Sequence, residues 1–138
     1  MIDIPKTEDN VINSIRALGA KIALDDFGTG YSSLDYLSKF PVDRIKIAQQ
    51  FVVDILASSR SRAVVDATIT LAQRLGMRVI AEGTETSRQL DILKKGGCRE
   101  FQGYYFSRPL SPAMMTRMLS LESFRPRHES RLELKVAV

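Results

Sequence analysis

The sequence predicts an α/β fold built on a parallel sheet. Short apolar runs alternate four times with helical stretches. Strand–helix order of this kind favours parallel strands with right-handed crossovers. Polar residues also recur at or near the C-terminal end of each run: Asp25 and Asp26, then Lys46, then Glu82, then Gln102. In a parallel barrel that end of the strands is where active sites are built.

The first helix covers residues 7–18. Thr7 caps it, Glu8 and Asp9 occupy its first turn, Val11, Ile12, Ile15 and Leu18 mark one face, and Gly19 ends it. Lys21-Ile22-Ala23-Leu24 is the first strand and delivers Asp25 and Asp26 to its end. Ser32 or Ser33 caps a short helix using Leu34, Leu37 and Phe40, which stops before Pro41. Arg44-Ile45-Lys46-Ile47-Ala48 is the second strand. A helical turn runs from Phe51 to Leu56, Ser58-Ser59-Arg60-Ser61 reads as a polar break, and residues 62–75 form the clearest helix, closed by Gly76. Met77-Arg78-Val79-Ile80-Ala81 is the third strand, ending at Glu82.

Thr86, with Gln89 three residues later, makes a capping box for a helix carrying Leu90, Ile92 and Leu93 and ended by Gly96-Gly97. The fourth strand spans Arg99 to Gln102, and Gly103 follows. Ser111 caps a last helix with Pro112 at its first position. Its apolar face, Met114, Met115, Met118 and Leu119, reads as core filler. The chain therefore divides into a domain at 1–121 and a charged tail at 122–138. The tail's mixed charges predict a solvated segment, with Arg131–Val136 alternating as an edge strand and His128 as a surface residue.

With 138 residues the chain makes one ordinary domain with a real core. Its 44% hydrophobic and 26% charged residues are those of a globular protein. The formal net charge of +4 suits an anionic ligand but is no nucleic-acid signature. A single cysteine, Cys98, excludes an internal disulfide framework and suits a reducing compartment. No apolar run is long enough to span a bilayer, and Met-Ile-Asp-Ile-Pro-Lys at the N-terminus lacks the features of a signal peptide. The expectation is a cytoplasmic protein with neither a membrane nor a nucleic-acid polymer as partner.

Adjacent acids at a strand end are poor strand formers. Asp25 and Asp26 read either as ligands for a hard cation or as an ordinary acidic turn. The convergence of Asp25, Asp26, Glu82 and Lys46 on one end of the strands favours a site. Such carboxylates hold Mg²⁺ or Mn²⁺, which activate water and clamp anionic oxygens. A lysine adds positive charge where a phosphodiester gains negative charge in the transition state. The absence of CxxC and HExxH, and of a histidine in this group, argues against structural zinc, zinc hydrolysis and a serine–histidine triad. No glycine-rich dinucleotide or P-loop motif is present, and Gly28-Thr29-Gly30 alone is weak evidence for phosphate binding.

Four ordered segments resemble the EAL domain of cyclic di-GMP phosphodiesterases: Asp25-Asp26-Phe27-Gly28-Thr29-Gly30-Tyr31-Ser32-Ser33-Leu34, Ile45-Lys46-Ile47, Ala81-Glu82-Gly83-Thr84-Glu85-Thr86 and Gln102-Gly103-Tyr104. The resemblance implies a TIM-type (β/α) barrel and hydrolysis of cyclic di-GMP to a linear dinucleotide with two Mg²⁺ or Mn²⁺. On matching positions, Asp25 and Asp26 would be metal ligands, and Lys46 would contact the attacking water or phosphate. Glu82 would serve as ligand or base, Glu85 would steady the loop after Asp26, and Gln102 would line the site.

Two departures matter. Such a barrel takes about 250 residues, whereas this chain supplies about four of eight units and lacks the Glu-Ala-Leu signature and other early ligands. The expectation is thus a partial barrel, the C-terminal half of the domain, whose open edges call for completion by a second copy or by a longer parent, or else leave the chain unstable. The family also usually has aspartate after Ile47, where this chain has Ala48. Both departures point to a truncated phosphodiesterase impaired on its own. The alternative is a non-catalytic module binding cyclic di-GMP or a protein partner.

Overall fold

The computed structural model describes residues 6–30 and 33–120. The elements are α1 (Lys6–Ala17), β1 (Ala23–Phe27), α2 (Ser33–Lys39), β2 (Arg44–Ile47), α3 (Gln49–Val53) running into a single 3-10 turn (Asp54–Leu56), α4 (Ser59–Arg74), β3 (Arg78–Glu82), α5 (Ser87–Lys95), β4 (Glu100–Gln102) and α6 (Pro112–Ser120). One sheet has the order β1-β2-β3-β4, and every pairing is parallel. Spatial neighbours are sequential, so each crossover carries helix, as parallel pairing demands. Among the described residues the result is four βα units with β1 and β4 at the two edges. No helix among the described residues is long and apolar enough to cross a membrane.

Strand alternation assigns the two faces of the sheet. Ile45 and Ile47 of β2, Val79 and Ala81 of β3, and Phe101 of β4 face the helices. They pack there against Val52, Ile55, Val65, Ile69, Ala72, Leu90 and Leu93. The opposite face, which a closed barrel would turn inward, carries Arg44 and Lys46, then Arg78, Ile80 and Glu82, then Glu100 and Gln102. It is mostly polar, so leaving it open exposes little hydrocarbon. At its N-terminal end Glu100 is held by Arg78 at 3.2 Å and Arg44 at 3.8 Å.

Several elements differ from the sequence expectation. β1 does not stop before the acids but runs through Asp25 and Asp26 to Phe27, because pairing with β2 overrides their low strand propensity. Ala48 falls outside β2 as the residue preceding α3. The expected polar break at Ser59–Ser61 is instead the first turn of α4. Ser58 caps it, its Oγ accepting from the Ser61 N–H at 3.0 Å.

The capping box on α5 is present. Thr86 Oγ1 accepts from the Gln89 N–H at 3.3 Å, and Gln89 Oε1 accepts from the Thr86 N–H at 2.9 Å. Gln89 Nε2 also donates to the Val53 carbonyl, joining α5 to α3. On α6 the Ser111 hydroxyl accepts from the Met114 N–H as expected. Its methionine face, however, is not core: no residue of α6 is buried, with Met114 59% and Leu119 61% exposed. α1 also leaves Val11, Ile15 and Leu18 largely exposed. In the chain α1 precedes β1 and α6 follows β4, the two edge strands of the sheet among the described residues. The proposed tail at 122–138, with its edge strand and His128, and the candidate cap Ser32 lie outside the described residues.

Cys98 sits in the core beside β3 and β4, its Sγ within reach of the carbonyls of Val79 and Glu100. Burial pushes its thiol up to about 11. An unfolded cysteine ionises near pH ~8.5. Between those values the unfolded chain binds fewer protons than the folded one, so stability falls as pH rises. We expect urea-unfolding free energy to decline between about pH 9 and 11 by up to about 3 kcal/mol from this group. Cys98→Ser keeps a donor of similar size and should flatten the profile in that window. An unchanged slope in the variant would refute the assignment.

Candidate metal centre

β1 is irregular where the acids lie. Leu24 pairs with Ile45 and Phe27 with Ile47, so Asp25 and Asp26 together face Lys46 alone. Two residues opposing one is a β-bulge. Asp26 turns left-handed, at φ 49°, the only non-glycine residue to do so among the described residues. Consecutive side chains of a regular strand point to opposite faces; this turn brings both carboxylates to the same side. Local bonds fix it: the Asp26 N–H donates to Asp25 Oδ1 at 3.0 Å, and the Thr29 hydroxyl donates to the Asp26 carbonyl at 2.8 Å.

Glu82 enters as the last residue of β3, and Lys46 rises from β2 between it and the bulge. Lys46 Nζ lies 3.0 Å from Asp25 Oδ1 and 2.6 Å from Glu82 Oε1. Carboxylate oxygens of Asp25, Asp26 and Glu82 all fall within 4.8 Å of one another. The hydrogen bond from Lys46 holds the Asp25 carboxyl below its usual range, overcoming slight burial, and the Asp26 N–H adds to the effect. Burial works against the charge on Lys46, but its bonds to Glu82 and Asp25 outweigh this and raise its pKa above the ordinary lysine value. Both groups are therefore charged at neutral pH.

The donor set fits a hard divalent cation. Mg²⁺ binds oxygen at about 2.0–2.1 Å, so opposed ligand oxygens stand roughly 4 Å apart. The observed cluster reaches that span with small side-chain movements. Ala48 adds nothing to it. Its methyl group is buried and it precedes α3 without a side-chain cap.

Beside the carboxylates is a cleft of about 170 Å³ lined by Gln49, Glu82, Gly83, Glu85, Gln102, Gly103 and Tyr104. Of the residues singled out by sequence, Asp25, Asp26, Lys46 and Glu82 come together directly, while Glu85 and Gln102 stand along this cleft. Gln49 was not singled out; its only signal is its place just past the C-terminal end of β2. The cleft wall depends on two glycines. Gly83 has φ +71°, and a Cβ there would strike the Gln49 side chain. Gly103 packs against the backbone of Thr84, whose N–H donates to the Gln102 carbonyl and whose carbonyl accepts from the Tyr105 N–H, both at 3.0 Å. A larger cavity of about 530 Å³ lies at the opposite end of β3 and β4, between Gln73, Met77, Arg78 and Arg99. It is remote from the carboxylates, and their chemistry rather than cavity size marks the site.

Comparison with known proteins identifies the family and the fold. The profile of the EAL domain matches residues 2–109. The chain is 44% identical over 114 residues to the cyclic di-GMP phosphodiesterase NbdA of Pseudomonas aeruginosa, covering 83% of this chain and 15% of that protein. Among solved structures, the EAL domain of Mycobacterium smegmatis DcpA superposes with a TM-score of 0.79 at 36% identity, over 86% of this chain and 53% of that one. Klebsiella pneumoniae BlrP1, solved with manganese and cyclic di-GMP, superposes with a TM-score of 0.70 at 40% identity, over 75% of this chain and 26% of that one. The chain thus spans 15% of the length of the curated relative and about half of a solved EAL domain. Its four parallel βα units form part of the barrel-like fold of those structures, and the chain belongs to the EAL domain family.

Proposed function

We propose that this chain carries the C-terminal half of a metal-dependent phosphodiesterase site for cyclic di-GMP, a site that opens the cyclic compound to a linear dinucleotide. The observation that carries the reading is the group Asp25, Asp26 and Glu82 gathered around Lys46 at the C-terminal ends of parallel strands. The names of NbdA and of the BlrP1 complex support the choice of substrate. Asp25, Asp26 and Glu82 would hold Mg²⁺ or Mn²⁺, which when bound lowers the pKa of a water and draws charge from the phosphate. Lys46 presents a cation to the anionic oxygens from β2. Gln102 offers an amide to the substrate along the cleft, and Glu85 would steady the loop after Asp26.

The chain alone is proposed to be impaired. Four strands supply one side of a site, and the Ala48 side chain offers no oxygen just past the end of β2. Incubated with cyclic di-GMP and Mg²⁺ or Mn²⁺, the purified chain should release no linear dinucleotide above background by chromatography. Clear metal-dependent hydrolysis would overturn that part of the reading. Ala48 also favours a second reading, a regulatory module that binds cyclic di-GMP without cleaving it. Calorimetric heat on adding cyclic di-GMP, without turnover, would distinguish that module from the impaired enzyme.

A further inference from the structure

We propose that Lys46 is the site's built-in counter-cation: without metal it holds Asp25 and Glu82 together, and a divalent ion must displace it, so that Lys46 sets the metal affinity of the centre. The proposal rests on the reading of Asp25, Asp26 and Glu82 as metal ligands. Its basis is geometric. One ammonium bridges two of the three carboxylates, at 3.0 Å and 2.6 Å, and the third lies in the same cluster. Three carboxylates this close repel one another, and a single positive charge bridging two of them offsets part of that repulsion. The bulge fixes the arrangement, since both aspartates are set opposite Lys46 and no other residue of β2.

The ammonium and a metal ion cannot use these oxygens in the same way. The nitrogen stands 2.6–3.0 Å from its partners, whereas Mg²⁺ needs about 2.0–2.1 Å. A metal would therefore draw the carboxylates inward and leave a dication beside an ammonium it repels. Lys46 has a flexible four-carbon stem and is 20% exposed, so its tip can swing toward solvent. Lys46 is a positioning residue in this role, acting on the metal through the carboxylates it holds.

Mn²⁺ binding to the full chain, Lys46→Met and Lys46→Arg, followed by calorimetry and by electron paramagnetic resonance, tests the idea. The methionine variant should bind Mn²⁺ about tenfold more tightly, equivalent to ~1.4 kcal/mol, and arginine should restore the weaker binding. In EDTA the methionine variant should melt below the parent chain, and Mn²⁺ should raise its Tm by more than it raises the parent's. Lys46→Gln, which keeps a hydrogen-bonding tip without charge, gives the same reading should the methionine variant not fold. Mn²⁺ binding by the parent with equal or weaker binding by the variants would overturn the counter-cation role and leave the metal site standing. No binding by any of the folded chains would overturn both.

Discussion

Glu82→Gln should weaken Mn²⁺ binding by at least about 100-fold while barely changing the melting temperature in EDTA. The amide keeps an oxygen for Lys46, which lies 2.6 Å away, so the local hydrogen bond survives. What disappears is one of three anionic donors, and a hard cation depends on carboxylate charge for its affinity. The loss of a direct ligand should exceed the 10–100-fold typical of residues that merely orient one. Glu82→Ala makes the contrast. It removes the acceptor as well as the charge and leaves Lys46, only 20% exposed, with Asp25 alone. A loss of about 1–3 kcal/mol in stability should then accompany the loss of metal. Calorimetry with Mn²⁺ and thermal melts in EDTA separate the two effects, and tight Mn²⁺ binding by the glutamine variant would remove Glu82 from the ligand set.

Gly103→Ala should be among the most destabilising single changes available to this chain. A Cβ at that position would strike the Thr84 backbone at its nitrogen, carbonyl carbon and oxygen. Main chain cannot rotate aside as a side-chain tip can. The loop after β3 must separate from the loop after β4, straining the Thr84–Gln102 and Tyr105–Thr84 hydrogen bonds. Overpacking of about 1–3 kcal/mol and two bonds worth about 1 kcal/mol each add to roughly 3–5 kcal/mol. Domains of this size are typically stable by about 5–15 kcal/mol, so the variant should unfold at markedly lower urea. Parent-like unfolding would show that the two loops are not held as close as described.

The order and direction of the elements were legible because hydrophobic period is a local property. Ile45 and Ile47 alternate, Val65, Thr68, Ile69 and Ala72 recur at helical spacing, and Thr86 with Gln89 announces a helix start. The same reasoning placed Asp25, Asp26, Lys46 and Glu82 at one end of the sheet. What it could not supply depends on partners distant in sequence. The bulge at Asp25 and Asp26 exists only in register with β2, so the local pattern ends β1 too early and carries no sign of the bridging position of Lys46. Periodicity marked the methionine face of α6 correctly, but it indicates a side, not whether anything covers that side. Ser59–Ser61 misled because serine favours helix starts as well as loops. Gln49 has no pattern around it and joins the cleft only through the fold.

The helix that precedes β1 limits what can extend the sheet there. Val11 and Ile12 of α1 form an apolar groove with Ile22 and Leu24 beside that edge, completed by Tyr36, Phe40 and Val42. Each crossover between adjacent parallel strands carries one helix, and α1 lines the space beside β1. A neighbouring strand that brought its own trailing helix would put two helices in that space.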